Sequence, residues 1–251
     1  MRRTVIQLCG RYAVEIDGVR VENELPGRQG RLLFAYLVLN RDRSATRSEL
    51  VEALWPRELP RDPPEALAAV LSKLRAALGN GRLEGRSELT LVLPADSDVD
   101  VERAAAAVHE AESACALGDW TRAWSRGLTA QLVARRTLLA DYEAPWLDEW
   151  RRRLDGVLCR SLECYALACL RLGGTELRGA ERSARELVGL APLRESAYGL
   201  LMEALEAQGN VAEALVVYDE LRTRLRDELG TAPADAMQAV HRRLLGARAP
   251  S

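Results

Sequence analysis

Lys73 is the only lysine among 35 basic residues in this chain, and the helical segment around it is where polar side-chain chemistry could concentrate. At about 100° per residue, a helix from Pro63 to Leu78 buries Leu67, Val70, Leu71, Leu74 and Leu78 on one side, and turns Ala69, Ser72, Lys73 and Ala76 to the other, with Arg75 on the flank. These groups can recognise but cannot make or break bonds. Lys73 can donate to guanine O6/N7 or to a phosphate oxygen, Ser72 can meet several acceptors, and Ala69 and Ala76 can touch only thymine methyls. Arg75, with Arg61 before the helix and Arg82 and Arg86 beyond it, is suited to holding phosphate.

A second group of donors is Arg135, Arg136, Arg151, Arg152 and Arg153 beside Trp150, whose guanidinium groups could fork onto an anion such as a nucleotide and stack on the indole. The plainer reading of the same arginines is a solvated helix face. Catalytic groups are sparse. His109 and His241 sit in Ala/Leu-rich helical stretches with no nucleophile nearby, and neither GxxxxGK[ST] nor a strand followed by GxGxxG occurs. Cys9, Cys115, Cys159, Cys164 and Cys169 lack CxxC spacing and read as buried thiols of a reducing compartment. The expectation is therefore a protein that is not an enzyme and uses no cofactor or metal. No secretory signal follows Met1-Arg2-Arg3 and no apolar run approaches membrane-spanning length, so the expected location is the cytoplasm, away from the membrane.

Several elements must position these groups. Residues 4–9 and 12–16 alternate as short strands around Gly10-Arg11, and Asp17-Gly18 offers a further turn. A helix from Gly27 to Leu39 turns Leu32, Leu33, Tyr36 and Leu37 inward. Thr46 with Glu49 makes a capping box for a short helix through Leu50, Leu54 and Trp55, with Trp55 as a core plug and Pro56 as the stop. Asp62-Pro63-Pro64-Glu65 starts the helix that carries Lys73. Residues 81–84 and 89–93 can pair as a hairpin, which gives three helices and a hairpin, the order of a winged helix. Lys plus Arg exceed Asp plus Glu by 15 to 12 in residues 1–95 and trail by 20 to 25 in residues 96–251, so a polyanion should meet the front.

Turn formers from Pro94 to Asp98 mark the expected boundary between domains 1–95 and 96–251. Beyond them the pattern is helical: 99–117, 119 to about 128, 146–172, 176–190 and 234–245, with a hairpin from Leu193 onward. In that hairpin Ala197, Leu200, Leu201, Ala204 and Leu205 form one stripe, Gly209-Asn210 break it, and Ala214, Leu215, Tyr218, Leu221 and Leu225 form the next. Neither stripe can be covered within its own hairpin, so the segment reads as one repeat of a degenerate tetratricopeptide-like array.

Thr46–Pro56 (TRSELVEALWP), Leu71–Gly79 (LSKLRAALG), Ala116–Asp119, Glu143–Trp150, Leu190–Ala204 and Leu225–Pro233 (LRDELGTAP) appear in the order found in the Streptomyces antibiotic regulatory protein family of transcriptional activators, which the chain resembles from about residue 5 to 245. The resemblance implies a mainly α fold, an N-terminal winged helix followed by an all-α tetratricopeptide-like bacterial transcriptional activation domain. It also implies binding of double-stranded DNA at promoter direct repeats and recruitment of RNA polymerase, with Arg57, Glu58 and Arg61 in the loop that corresponds to the polymerase-contacting turn. A homodimer on DNA is expected. The segment Arg82–Leu93 departs from the family by lacking Gly-Tyr before its second strand, and the reading helix carries few polar groups. The alternative is a regulatory module with a weakened DNA face, which receives a small anionic effector through Arg135, Arg136 and Trp150 to Arg153.

Overall fold

A computed structural model describes residues 3–246; Met1 and Arg2 of the amino-terminal start, and residues 247–251, lie outside the described residues. The chain is mainly helical and divides into two compact units, Met1–Arg103 with Arg136–Leu154, and Ala104–Arg135 with Asp155–Ser251.

In the first unit β1 (Val5–Gln7), β2 (Ala13–Ile16) and β3 (Val19–Arg20) form an antiparallel meander. Asp17 and Gly18 both take positive φ, 51° and 80°, which matches the right-handed twist that a two-residue hairpin turn must satisfy. α1 (Gly27–Leu39) follows, then β4 (Ala45–Thr46), α2 (Arg47–Leu54) and α3 (Pro63–Leu78). All of Leu32 to Leu39 in α1 is buried, where the apolar spacing selects only one face. α1 is packed by α2, α3 and the sheet strand β6, so it is covered on several sides. β5 (Leu83–Glu84) and β6 (Glu88–Leu91) form the hairpin, and β4 completes its sheet in the order β4-β6-β5.

β7 (Asp98–Val99) then runs parallel to β1, with Val5 opposite Asp98 and Ile6 opposite Val99. The turn-rich stretch Pro94–Asp98 thus lies inside the first unit. Residues 136–154 return to the same unit: Gly10 N donates to Thr137 O at 2.9 Å, Leu139 N to Leu8 O at 3.0 Å, and Leu138, Leu139, Tyr142 and Leu147 are buried there. Asp100, itself buried, accepts from Leu8 N at 3.0 Å and Cys9 N at 2.8 Å through Oδ2, and from Val101 N at 2.8 Å through Oδ1.

The second unit takes most of α4 (Asp100–Leu117), α5 (Trp120–Ala134), the later part of α6 (Pro145–Leu172), α7 (Leu177–Leu190), α8 (Glu195–Ala207), α9 (Val211–Leu229) and α10 (Asp235–Gly246). Asp119 caps α5 by accepting from Arg122 N at 3.1 Å. α5 runs past the expected end near Leu128 because Ala130, Gln131, Val133 and Ala134 continue its buried face. Helices α7 to α10 pack in succession, as a stripe without cover in its own hairpin requires. Tyr198, Met202, Leu205, Val217, Tyr218 and Leu221 fill that core, while Leu200 and Leu215 of the expected stripes are only partly buried. Tyr218 stacks on His241 with ring centroids 3.9 Å apart, a packing role for that histidine. Cys9, Cys164 and Cys169 are buried as expected, whereas Cys115 and Cys159 are half-buried, and all five thiols are free. Among the described residues no helix is long and apolar enough to cross a membrane.

Candidate nucleic-acid interface

The start of α3 is set by Asp62, whose carboxylate accepts from Glu65 N at 3.0 Å, and by Pro63 in the first turn, where a missing N–H costs nothing. Leu67, Leu71, Leu74 and Leu78 are buried, with Val70 partly so, which leaves Ala69, Ser72, Lys73 and Ala76 together on one exposed face. The helical spacing had placed them there.

Arg75, expected to hold phosphate, is engaged within the fold. Its Nη2 donates to Gly85 O at 2.8 Å and its Nε to Leu83 O at 3.5 Å, so it clamps the β5–β6 hairpin onto α3. Arg82 is also engaged, half-buried with its Nη2 2.5 Å from Asp17 Oδ2. Arg86 stays exposed at the hairpin turn, and Arg61 is exposed just before α3. Arg47 went unnoticed in the sequence. It opens α2, and its Nη1 donates to Arg86 O at 3.3 Å while its own N–H donates to Ser87 O at 3.3 Å, joining the helix start to the hairpin turn. The only local signal for it is its place after the Thr46 cap.

In the loop between α2 and α3, Arg57 and Glu58 are exposed with Arg61, and Arg57 Nη2 lies 3.0 Å from Glu143 Oε2. Trp55 is half-exposed at the end of α2 and is no core plug. Behind the loop, Thr46 Oγ1 accepts from Glu49 N at 3.3 Å, and Glu49 accepts from Tyr36 Oη at 2.5 Å and from Arg43. The Arg43 hydrogen bond is the largest influence holding the Glu49 carboxyl down at about 2, against the opposing effect of burial. Burial, followed by the bond to Glu49, pushes Tyr36 up to about 12. Because folding depresses the Glu49 pKa, its stabilising contribution is complete above the free-carboxyl value of 4.5 and is lost as pH falls towards 2. Glu49→Gln is therefore expected to flatten the thermal-stability profile across that acid interval and leave its shape near neutrality unchanged, which scanning calorimetry at stepped pH would reveal.

Several of the six residues grouped as an anion receptor are engaged with other groups of the fold. Arg135 forks onto Glu186 at 3.0 and 2.6 Å within the second unit. Arg151 belongs to the first unit, where its guanidinium donates to the carbonyls of Leu138, Leu139 and Tyr142 and so pins the returning segment. Arg153 lies 4.8 Å over the Trp150 ring and pairs with Glu149, Arg136 packs against Gly10, and Arg152 is exposed. Arg135, Arg151 and Arg153 thus already have acceptors inside the fold, a tertiary fact that adjacency in sequence does not encode.

The family described as bacterial transcriptional activator domain matches residues 99–245. Regulatory protein AfsR of Streptomyces coelicolor is 34% identical over 220 residues, which cover 87% of this chain and 22% of AfsR. Transcriptional regulatory protein EmbR of Mycobacterium tuberculosis is 28% identical over 257 residues, covering 97% of this chain and 64% of EmbR. The chain thus spans about a fifth of one relative and under two thirds of the other. A solved structure of Mycobacterium tuberculosis EmbR, in complex with a low affinity phosphopeptide, superposes with a TM-score of 0.83 at 23% identity, covering 100% of this chain and 67% of that one. That similarity is one of fold, a winged helix joined to a tetratricopeptide-like helical domain.

Proposed function

The chain belongs to the Streptomyces antibiotic regulatory protein family of transcriptional regulators, and from that premise we propose that it activates transcription by binding duplex DNA through α3 and the β5–β6 hairpin and by recruiting RNA polymerase. The observation that carries the reading is the exposed set Ala69, Ser72, Lys73 and Ala76 on a helix buttressed by Leu67, Leu71, Leu74 and Leu78 and clamped to its hairpin by Arg75. In this reading α3 enters the major groove. Lys73 and Ser72 meet base edges or phosphate, and Arg61 and Arg86 hold the backbone on either side. Arg57, Glu58 and Arg61 face the polymerase. Residues 1–95 are the DNA-binding part and 96–251 the activation part, acting in the cytoplasm without catalysing a reaction. A face with one lysine and one serine discriminates weakly, so two subunits on adjacent direct repeats supply the remaining affinity through effective concentration.

The test is a gel shift with the upstream region of the chain's own gene across a salt series. Lys73→Ala should weaken binding and lower the slope of log affinity against log salt by about one unit if the ammonium meets a phosphate. No shift by the unaltered protein would overturn the reading, and an unchanged affinity and slope in the variant would remove Lys73 from the interface.

A further inference from the structure

A cleft of about 560 Å³ in the first unit lies beside the loop that carries Arg57 and takes no part in the proposed DNA contact. It is lined by Tyr36, Trp55 and Trp146 together with the carboxylates of Glu49 and Glu52, and bordered at its open side by apolar groups that include Pro56, Leu59 and Pro145. Its aromatic wall is fixed. Trp146 Nε1 donates to Ala53 O at 3.1 Å, which satisfies the polar end of the indole, and the Tyr36 ring meets Trp146 edge-on at 5.1 Å and 84°. A preformed hollow of this size, mostly apolar with a few convergent polar groups, is the usual form of a small-ligand site.

The charge around the cleft selects the sign of its occupant. Glu49 is already matched by Arg43, and Arg57, the basic residue in the lining, is turned to Glu143 at 3.0 Å. Glu52 is exposed and, among the described residues, no guanidinium or ammonium group lies within ion-pair distance of it. The last turn of α2 borders the cleft through Ala53 and Trp55 and the first turn of α6 through Pro145 and Trp146, so the negative end of one helix and the positive end of the other offset, and the side chains decide the sign. The Glu52 carboxylate, with no counter-ion among the described residues, and three electron-rich rings favour a cation over an anion.

We propose that this cleft binds a small organic cation, an ammonium or guanidinium group carried on an apolar body, with Glu52 as its counter-ion and Trp55 and Trp146 as its aromatic walls. The apolar body would lie along Pro56, Leu59 and Pro145. This site is independent of the α3 face, so a failed gel shift leaves it standing and the reverse also holds.

Calorimetric titration of the full chain with benzyltrimethylammonium, with benzyl alcohol and benzoate as neutral and anionic counterparts, tests it. The expected result is saturable binding of the cation, about tenfold tighter than either counterpart. Glu52→Gln should weaken it about fivefold, in line with loss of one partly solvated ion pair, and Trp55→Leu by a similar factor. Glu52 is exposed, so its variant should keep the urea midpoint of the unaltered chain and remain interpretable even if the tryptophan variant does not fold. A cation that binds no tighter than benzyl alcohol, or equally well to Glu52→Gln, would overturn the proposal.

Discussion

Asp100→Ala is expected to lose about 3 kcal/mol of folding free energy, because it leaves the buried amides of Leu8 and Cys9 without their acceptor, at about 1 to 3 kcal/mol for each orphaned group. The third amide, Val101 N, lies in the first turn of α4 and is buried as well, so it adds to the loss. Urea unfolding followed by circular dichroism measures the loss as a lower midpoint, and a midpoint within error of the unaltered protein would show that water replaces the carboxylate at this joint. Asp100→Asn separates shape from charge. The amide keeps one oxygen for the Leu8 and Cys9 donors but sets an NH2 group against Val101 N, so it should fall between the two. The pH dependence of Asp100 has the opposite sign to that of Glu49. Burial raises the Asp100 pKa, outweighing the three amides that lower it, so its contribution to stability declines as pH rises from the free-carboxyl value of 3.8 through the folded one. Removing Asp100 should therefore steepen the apparent acid limb that Glu49 produces, even as it lowers stability throughout.

The elements legible in the sequence were those whose signals are local. Thr46 with Glu49 and Asp62 with Pro63 mark helix starts by side chains that reach only three residues, and both caps form as read. The face of α3 follows from helical periodicity alone, since four leucines on one side leave Ala69, Ser72, Lys73 and Ala76 on the other. What escaped reading depends on partners far along the chain. β7 is two residues long and pairs with β1 across more than ninety positions, so no alternation announces it. Arg151 and Arg75 looked like free cations because their acceptors are main-chain carbonyls, which every residue has and no residue type advertises. The cleft beside Trp55 was missed for the same reason: Tyr36 and Trp146 meet only through the return of residues 136–154 to the first unit.

The hairpin that accompanies α3 rests on one position where only glycine fits. Gly85 has φ +89°, and a Cβ placed on it would stand 1.8 Å from Glu88 O, a backbone atom that the β5–β6 turn itself fixes. Gly81, at φ +78°, would meet nothing within 4 Å. Alanine at Gly81 should therefore cost only the positive-φ penalty, about 1 kcal/mol, whereas alanine at Gly85 adds a clash that the turn can relieve only by opening, for a total of about 3 kcal/mol. Opening the turn would also draw Gly85 O away from Arg75 Nη2, now 2.8 Å distant, and free the hairpin from α3. The two variants thus isolate the contribution of the hairpin. On the proposed DNA reading, Gly81→Ala should retain nearly the full affinity of the unaltered chain, while Gly85→Ala should lose affinity by about tenfold as the proposed Arg86 contact becomes mobile, with the exposed face of α3 still present. Gel shifts paired with unfolding curves distinguish the outcomes. Equal stability for the two variants would mean that the hairpin adjusts its backbone to admit a side chain. Equal affinity despite unequal stability would assign DNA contact to α3 alone, and the hairpin would then serve only to brace it.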